Sequence, residues 1–521
     1  MTLLTDITRY DESLAAYSKD KLWDLFDGDK TNLNIAYECV DRHAGDRIAI
    51  NIINGNDASA DESLRFDELR AWSNRFANYV LAKGLDTGDR VAIMLEPSLI
   101  FYAALFGSMK AGCVAVPLFT LFGPEGIRLR LDDCTPRLFI ANKNDTEAAG
   151  VRENCVTEIG DDDFLEKLKS FSAEFTCQTS ADDMAMYQYT SGTTRQLPDA
   201  IKHRHRAVVT VMLAALYGTG VRPQDNFCCP SSPAWGHGLW HGTLAPLAMG
   251  TTITSYCGKF DPVRLIDALR QYEISNLSAA ATHYRMMRNV WKKGAIDHHL
   301  KKLSFTGEPI DSETEAWVEQ VFGKKVCSMY GTTEVGVILV SFPAAEDFQV
   351  KPGSLGKAIP GLAVAVRNGA GDTCKPGEKG EIMVKRHDGW FPTKDLGYTD
   401  EDGYFYHAGR ADDVIISAGW TMSAVEIENV IMKHADVSEV AVVASPDKAR
   451  GHIPKAFVVS TRQGGRVFEQ EIITLAKNSL SLHEYPRAIA FVDSLPKLPA
   501  GKINRKALRE QENQRLPKAL A

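Results

Sequence analysis

Between residues 65 and 85 the stretch RFDELRAWSNRFANYVLAKGL places Phe66, Leu69, Trp72, Phe76 and Val80 at steps of three and four. That is the period of a helix with one apolar face, and Gly84 supplies its stop. DRVAIML (89–95) then reads as a strand, PSLIFYAALFGSM as an apolar helix and CVAVPL (113–118) as another strand. The apolar helix runs for 13 uncharged residues between Glu96 and Lys110. A membrane span needs about 20, so the pattern predicts a helix buried in a protein core. Strand, helix, strand in this order is the grammar of parallel sheets covered by helices.

The pattern changes at 351–384, KPGSLGKAIPGLAVAVRNGAGDTCKPGEKGEIMV, where Gly and Pro punctuate short apolar runs. This predicts short strands and turns, a small barrel or a distorted sheet. After AGRADD (408–413) the alternation restarts. Helix 424–434, strands 438–445 and 454–459, and helix 469–480 are expected, with a domain boundary near 410–412. The expected architecture is therefore α/β. A large N-terminal domain of stacked βαβ-type sheets plus the small barrel or distorted sheet covers 1–410. A small α+β domain covers 411–521. The basic end KINRKALREQENQR reads as a solvated helix face.

Composition narrows the class without naming a function. The chain has 521 residues, 44% hydrophobic and 24% charged, with a formal charge of −8. It offers no basic surface for nucleic acid or acidic lipid. Its 10 cysteines are scattered without a CxxC pair, which suits a reducing compartment better than a disulfide framework or a zinc site. The start, MTLLTDITRYDESL, does not have the pattern of a secretory signal. A cytoplasmic enzyme, monomer or homodimer, is expected.

Candidate chemistry begins at YTSGTTRQLPDAIKHRH (189–205). Thr190, Ser191, Gly192, Thr193 and Thr194 supply hydroxyls and a tight turn after an expected strand, a donor surface suited to phosphate oxygens. No Gly-Lys-Ser/Thr follows, so this is not a Walker A loop. The loop is followed in order by TGEPI (306–310), MYGTTEVG (329–336), TKDLGYTDEDGYFYHAGRADD (393–413) and LPKLPAGKINRKALR (495–509). Together the set resembles the adenylate-forming (AMP-binding) superfamily, closest in look to acetyl- and medium-chain acyl-CoA synthetases. NIAYECVDRHAGDRIAI (34–50) and EYPR (484–487) add weaker echoes.

The resemblance implies a two-step reaction in which a carboxylate attacks the α-phosphate of ATP and a thiol then displaces AMP. It implies that Glu334, with Thr193, holds Mg²⁺ and that Thr333 contacts the α-phosphate. Tyr330 would stack on adenine, with Gly331 and Thr332 beside it and Gly307, Glu308 and Pro309 lining base and ribose. Asp395 would accept from the ribose hydroxyls with Arg410 nearby. Lys502 would bridge carboxylate and α-phosphate, as a mobile point charge can. Asp412 would be the hinge, Gly419 would let the pantetheine of coenzyme A pass, and Arg487 would contact a CoA phosphate. SSPAWGHGLWHG (231–242) would line the acyl site through Trp235, Gly236 and His237, with Gly331 at its end. Acetyl-specific relatives carry tryptophan at the Gly331 position, so glycine predicts a larger acyl group.

Three residues depart from the family pattern. Arg195 stands for a glycine, Asp199 for a lysine and Thr421 for an arginine, and Lys202 is up to roughly 10 Å further along an extended chain. The favoured reading is an acid–CoA ligase using ATP, CoA and a small carboxylic acid. The alternatives are an adenylation enzyme that loads a separate carrier protein, and a catalytically impaired nucleotide- or acyl-CoA-binding homologue. His237 and His241, at i and i+4, lack a third ligand for a metal, and His203 and His205 read as loop or helix-start residues.

Overall fold

The computed structural model describes residues 2–189, 200–291, 296–332, 335–410, 414–417, 420–447, 451–480, 485–498 and 503–514. They form two compact units, Met1–Tyr330 with Leu339–Pro352 and Ala358–Gly361, and Gly331–Ile338 with Gly353–Lys357 and Leu362–Ala521.

The first unit contains the predicted parallel sheets. In one, strands Val156–Ile159, Leu138–Ala141, Arg90–Met94, Val114–Pro117 and Met184–Gln188 lie side by side and parallel. Ile201–Arg204 returns antiparallel at the edge. Helix Phe66–Ala82 buries Phe66, Leu69, Phe76 and Val80, the face its spacing predicts, and leaves Trp72 half-buried under the Arg75 guanidinium. Helix Leu99–Lys110 is apolar on all sides because it is covered on all sides, and Ser98 caps it by accepting from the Phe101 N–H at 3.2 Å. It ends on a buried cation. Lys110 Nζ lies 2.7 Å from both Asp41 Oδ1 and Asn74 Oδ1, a pairing that offsets the cost of taking an ammonium out of water.

The second parallel sheet carries Ile48–Asn54, Thr252–Cys257, Asn226–Cys228, Asn276–Ala280, Lys302–Thr306 and Cys327–Thr332 in that spatial order. Its registers align Ala280 with Thr306, and Phe305 with Ser328. Helices Pro262–Gln271, Ala281–Val290 and Ser312–Phe322 pack Leu265, Tyr284, Met287 and Val318 against it.

In the second unit the Gly/Pro-rich segment forms a distorted antiparallel sheet. Strands Val364–Arg367, Gly380–Arg386, Gly389–Thr399, Phe405–Arg410 and Ser354–Ala358 pair in sequence, with register breaks at Glu381/Met383 and Leu396/Gly397. Beyond it, Val437–Asp447, Gly451–Ser460 and Ala488–Phe491 make a sheet covered by helices Ala424–Ile431, Arg466–Ser479 and Arg505–Gln514. The last helix corrects the expectation of a solvated face. Leu508 and Glu512 are 3% and 4% exposed. The Glu512 carboxylate accepts from Lys455 Nζ at 2.9 Å and Ser445 Oγ at 2.7 Å, and Arg505 pairs at 2.5 Å with buried Glu428. Periodicity sees a polar helix here because two of its inward residues, Arg505 and Glu512, are charged groups paired by a neighbouring helix and two strands.

His203 differs from the expected loop or helix-start position, whereas His205 sits in the turn before helix Ala207–Leu213, as expected. His203 lies within strand Ile201–Arg204, and His205 is fully buried just after it, its Nδ1 accepting from the Ile35 N–H at 3.0 Å. Burial pushes the imidazoles of His43, His203, His205, His241 and His283 each down to about 4. In the unfolded chain each takes a proton near pH 6.5. Between pH 6.5 and about 4 the unfolded state therefore binds more protons, and stability falls as the pH drops through that window. Each such histidine adds a slope of up to about 1.4 kcal/mol per pH unit. Melting temperature is expected to be level from pH 8 to 7 and to fall steeply from pH 6 to 4.5. A flat profile across pH 6 to 4.5 in a differential scanning fluorimetry series would contradict the neutral burial of these groups.

Candidate active site

Thr190, Ser191, Gly192, Thr193, Thr194, Arg195, Asp199, Thr333, Glu334, Asp412, Gly419 and Lys502 lie outside the described residues, as do the side chains of Arg410 and Thr421. The structure fixes the surroundings of several of them and the geometry of the remaining candidates.

In the first unit, parallel pairing brings the carboxyl ends of three strands together. Ala280 and Thr306 end neighbouring strands and Met329–Tyr330 follow the last paired residue, Ser328, of the third, the edge where ligands of such sheets bind. Gly307 follows at φ 96°, a conformation that glycine adopts freely. Glu308 is then held by helix Ala281–Val290: its carboxylate accepts from Thr282 Oγ1, and Arg285 lies 3.7 Å away. Past Pro309, Asp311 caps helix Ser312–Phe322 by accepting from the Thr314 N–H at 2.8 Å. Burial alone would raise the Asp311 carboxyl, but hydrogen bonds from Thr314 and the charges of Arg285 and Arg288 hold it below the usual range. The segment 307–311 is thus fastened at both its acids. Tyr330 is half-buried at the end of its strand.

The segment 231–242 is fastened as closely. His237 opens a π-helical segment, His237–Leu244, a wider turn often found at functional sites. Its ring is 5% exposed, with Nδ1 3.0 Å from Ser231 Oγ and Nε2 3.0 Å from Ser278 Oγ. Burial, with His241 and His283 nearby, drives it well below the ordinary histidine range, so it is neutral. Both ring nitrogens are occupied, which removes His237 as a metal ligand. Among the described residues no group of three or more His, Cys, Asp or Glu could hold a metal ion. Trp235 is half-buried, its ring edge-on to His237 at 6.1 Å. At Gly236 a Cβ would fall 2.7 Å from Gln188 Nε2, and Gln188 Oε1 accepts from Trp240 Nε1 at 2.9 Å. Gln188 ends strand Met184–Gln188, so the segment 231–242 grips the end of that strand. On the returning strand, the Lys202 ammonium sits 5.2 Å over the Tyr187 ring, occupied with its cross-strand neighbour.

In the second unit Asp395 and Arg410 face each other across an antiparallel pair. Asp395 is 5% exposed, its N–H donates to Thr393 Oγ1 at 3.2 Å, and His407 Nε2 is 3.7 Å from its carboxylate. Gly331 has a reason of its own. A Cβ there would fall 1.9 Å from the Gly336 carbonyl oxygen, so the backbone demands glycine whatever the size of any acyl pocket. Arg487 donates to the Tyr485 hydroxyl at 2.8 Å and lies over its ring at 4.6 Å, with Lys477 also 4.6 Å from that ring.

Reading the sequence missed Thr282, Arg285, Ser231, Ser278, Gln188 and His407. Ser231 and His407 lie inside the motifs of the groups they hold, whereas Ser278 is 41 positions from His237 and Thr282 is 26 from Glu308. Parallel strand order brings these two distant pairs together.

The chain matches the AMP-binding enzyme family over residues 37–391 and the AMP-binding enzyme C-terminal domain over 426–502. It is 29% identical to the acetyl-coenzyme A synthetase of Bacillus subtilis, over 92% of this chain and 91% of that one. The uncharacterized acyl–CoA ligase YtcI of the same organism is 32% identical over 88% of this chain and 92% of its own. The crystal structure of a Brucella canis acyl-CoA synthetase is 30% identical with a TM-score of 0.74, covering 98% of this chain and 99% of that one. Two family segments in series, spanning most of the length, make this chain a member of the AMP-binding enzyme family.

Proposed function

We propose that the protein is an AMP-forming carboxylic acid–CoA ligase: acid + ATP + CoA → acyl-CoA + AMP + diphosphate, through an acyl-adenylate. The observation that carries this reading is the serial match to the AMP-binding segment and its C-terminal domain. Relatives named as acyl–CoA ligases and synthetases, similar across nearly the whole chain, support it.

The first step sets an anionic carboxylate against a polyanion, so cations and oriented donors carry its barrier. Lys502 is assigned to bridge the carboxylate and the α-phosphate. Thr190–Thr194 would cradle the phosphates, Thr333 would donate to the α-phosphate and Tyr330 would stack on adenine. Glu308, fixed by Thr282 and Arg285, would present the 307–309 backbone to base and ribose. Asp395 would take the ribose hydroxyls, with Arg410 opposite. One carboxylate (Glu334) and one hydroxyl (Thr193), completed by phosphate oxygens, form a donor set of the kind Mg²⁺ accepts. When bound, the ion would neutralise charge on the phosphates. Thiol attack would follow a pivot of the C-terminal domain at Asp412, the pantetheine passing Gly419 with Arg487 near its nucleotide end. Neutral His237, pinned by its two serines, would give the acyl site an uncharged wall beside Trp235.

Lys502→Ala is expected to depress adenylation, read as ATP–pyrophosphate exchange, by several orders of magnitude. It should largely spare conversion of supplied acyl-adenylate to acyl-CoA. Equal loss in both half-reactions would remove Lys502 from the role given to it.

The altered loop generates a second expectation. If Arg195 replaces the cation missing at Asp199, it contacts the β- or γ-phosphate and matters only before pyrophosphate leaves. A lost charge-assisted hydrogen bond costs about 1.5–3 kcal/mol, or roughly 10- to 150-fold. Arg195→Ala should raise the ATP KM or slow adenylation by that factor and leave the thiol step untouched. Unchanged exchange in this variant would show that Arg195 does not serve ATP.

The acyl group is proposed to be larger than acetyl because Gly331 stands where acetyl-specific relatives carry tryptophan, a reading that rests on the resemblance since the backbone has its own reason for glycine there. Because a side chain at Gly331 would break the local backbone, the test uses the native enzyme. A panel of C2 to C8 and aromatic acids should give a higher kcat/KM for a C4-or-larger acid than for acetate. Preference for acetate would refute the size assignment while leaving the ligase reading intact. Exchange without CoA-thioester formation would point instead to a carrier protein as acceptor.

A further inference from the structure

At the end of the second sheet away from the proposed active site lies a depression of about 280 Å³. Its rim includes Lys301 and Lys302, which begin the strand Lys302–Thr306, and Lys324 and Lys325, which precede Cys327–Thr332. The strand from Lys302 to Thr306 separates it from Gly307 by about 13 Å at ~3.3 Å per residue. It is a different place from the nucleotide-binding edge.

Four lysines line this depression against one carboxylate, Glu346, on a chain whose net charge is −8. Lys302 is accounted for: its Nζ lies 2.5 Å from Asp225 Oδ2 and donates to the Gly220 carbonyl at 2.7 Å. Lys301, Lys324 and Lys325 are exposed and make no ion pair with a carboxylate among the described residues; Lys325 donates only to the Val350 carbonyl at 3.3 Å. The like charges act on their neighbours. Burial first, and then the charges of Arg222 and Lys301, push the Lys302 ammonium down against the pull of Asp225. Lys324 likewise helps to lower His298, whose shift is led by burial.

Between the lysines the lining is apolar, with Phe342, Pro343, Phe348 and Val350. Phe342 sits at φ 45°, a conformation that costs a bulky residue of order 1–3 kcal/mol. Ring contacts to Tyr10 at 4.8 Å, Phe348 at 5.1 Å and Tyr217 at 5.9 Å hold it there, presenting an aromatic floor under the lysine rim.

We propose that this depression is a second ligand site that takes a small anion carrying an apolar body, of the alkyl phosphate class. Three mobile ammonium groups suit a phosphate, which lysine binds as a point charge. The half-buried Pro343, Phe348 and Val350, backed by buried Phe342, take the alkyl part, and the volume is near the lower bound of small-molecule sites, about 300 Å³. Inorganic phosphate uses only half of what is offered. The assignment rests on the depression alone and is independent of the reaction proposed above.

The test is protection of lysines from acetylation by an N-hydroxysuccinimide ester, mapped by peptide mass spectrometry on the full chain. Octyl phosphate, held below its micelle concentration, should protect Lys301, Lys324 and Lys325 and leave the exposed Lys19 and Lys259 unchanged. A variant carrying Lys301→Gln, Lys324→Gln and Lys325→Gln should melt as the native protein does. It should also lack the calorimetric binding isotherm of octyl phosphate at this site, weakened by at least about tenfold as expected for lost charge-assisted contacts. Uniform labelling with and without octyl phosphate, or unchanged affinity in the triple variant, would overturn the site. Equal protection by inorganic phosphate at the same concentration would overturn the apolar half of the assignment.

Discussion

Parallel hydrogen bonding among Asn276–Ala280, Lys302–Thr306 and Cys327–Thr332 decides which parts of the first unit can meet. Parallel strands point all their carboxyl ends one way and all their amino ends the other. The hydroxyl, glycine and acid residues after Thr306 therefore gather beside Tyr330. The lysines ahead of Leu303 and Val326 gather at the far edge. The two groups share the same strands without sharing chemistry. A slip of register by one residue would turn every core side chain outward, so the packing of Leu277, Leu303 and Tyr284 also keeps both edges in alignment.

Polar groups near the first-unit edge are handled by two different devices. Where charge is kept, it is paired at close range: Glu308 with Thr282 and Arg285, and Asp311 with Arg285 and Arg288. Where charge would be costly, the group is kept neutral. His237, His241 and His283 stay unprotonated because burial disfavours the imidazolium. A segment built around neutral imidazoles adds no positive charge of its own at this edge.

Much of this was legible in the sequence, for reasons that can be stated residue by residue. Phe66 to Val80 and the run after Ser98 carry a helical period that burial enforces, and the ordered short motifs mark family membership because each is contiguous. The distorted sheet was legible only as alternatives, since Gly353, Gly361 and Gly377 punctuate without specifying partners. The burial of Arg505–Gln514 was hidden because Glu512 looks like a solvated acid until Lys455 and Ser445 are brought to it. Gly331 was readable as space, whereas the fold makes it a point of backbone contact with Gly336. The partners of His237 and Glu308 were not readable at all. Nothing in the spacing of Ser231, Ser278 and Thr282 distinguishes them from ordinary surface hydroxyls.

The anchoring of the last helix has a mechanical consequence. Lys497 and Ile503 form an antiparallel bridge, and the Asn504 N–H donates to the Pro496 carbonyl at 2.7 Å, so the described residues 496–497 and 503–504 are tied to each other. Directly behind it, Arg505 is clamped to Glu428 and Glu512 to Lys455. A turn of this C-terminal body would carry Lys497 and Ile503 with it as one piece, the paired charges of its last helix acting as the rivets that transmit the torque.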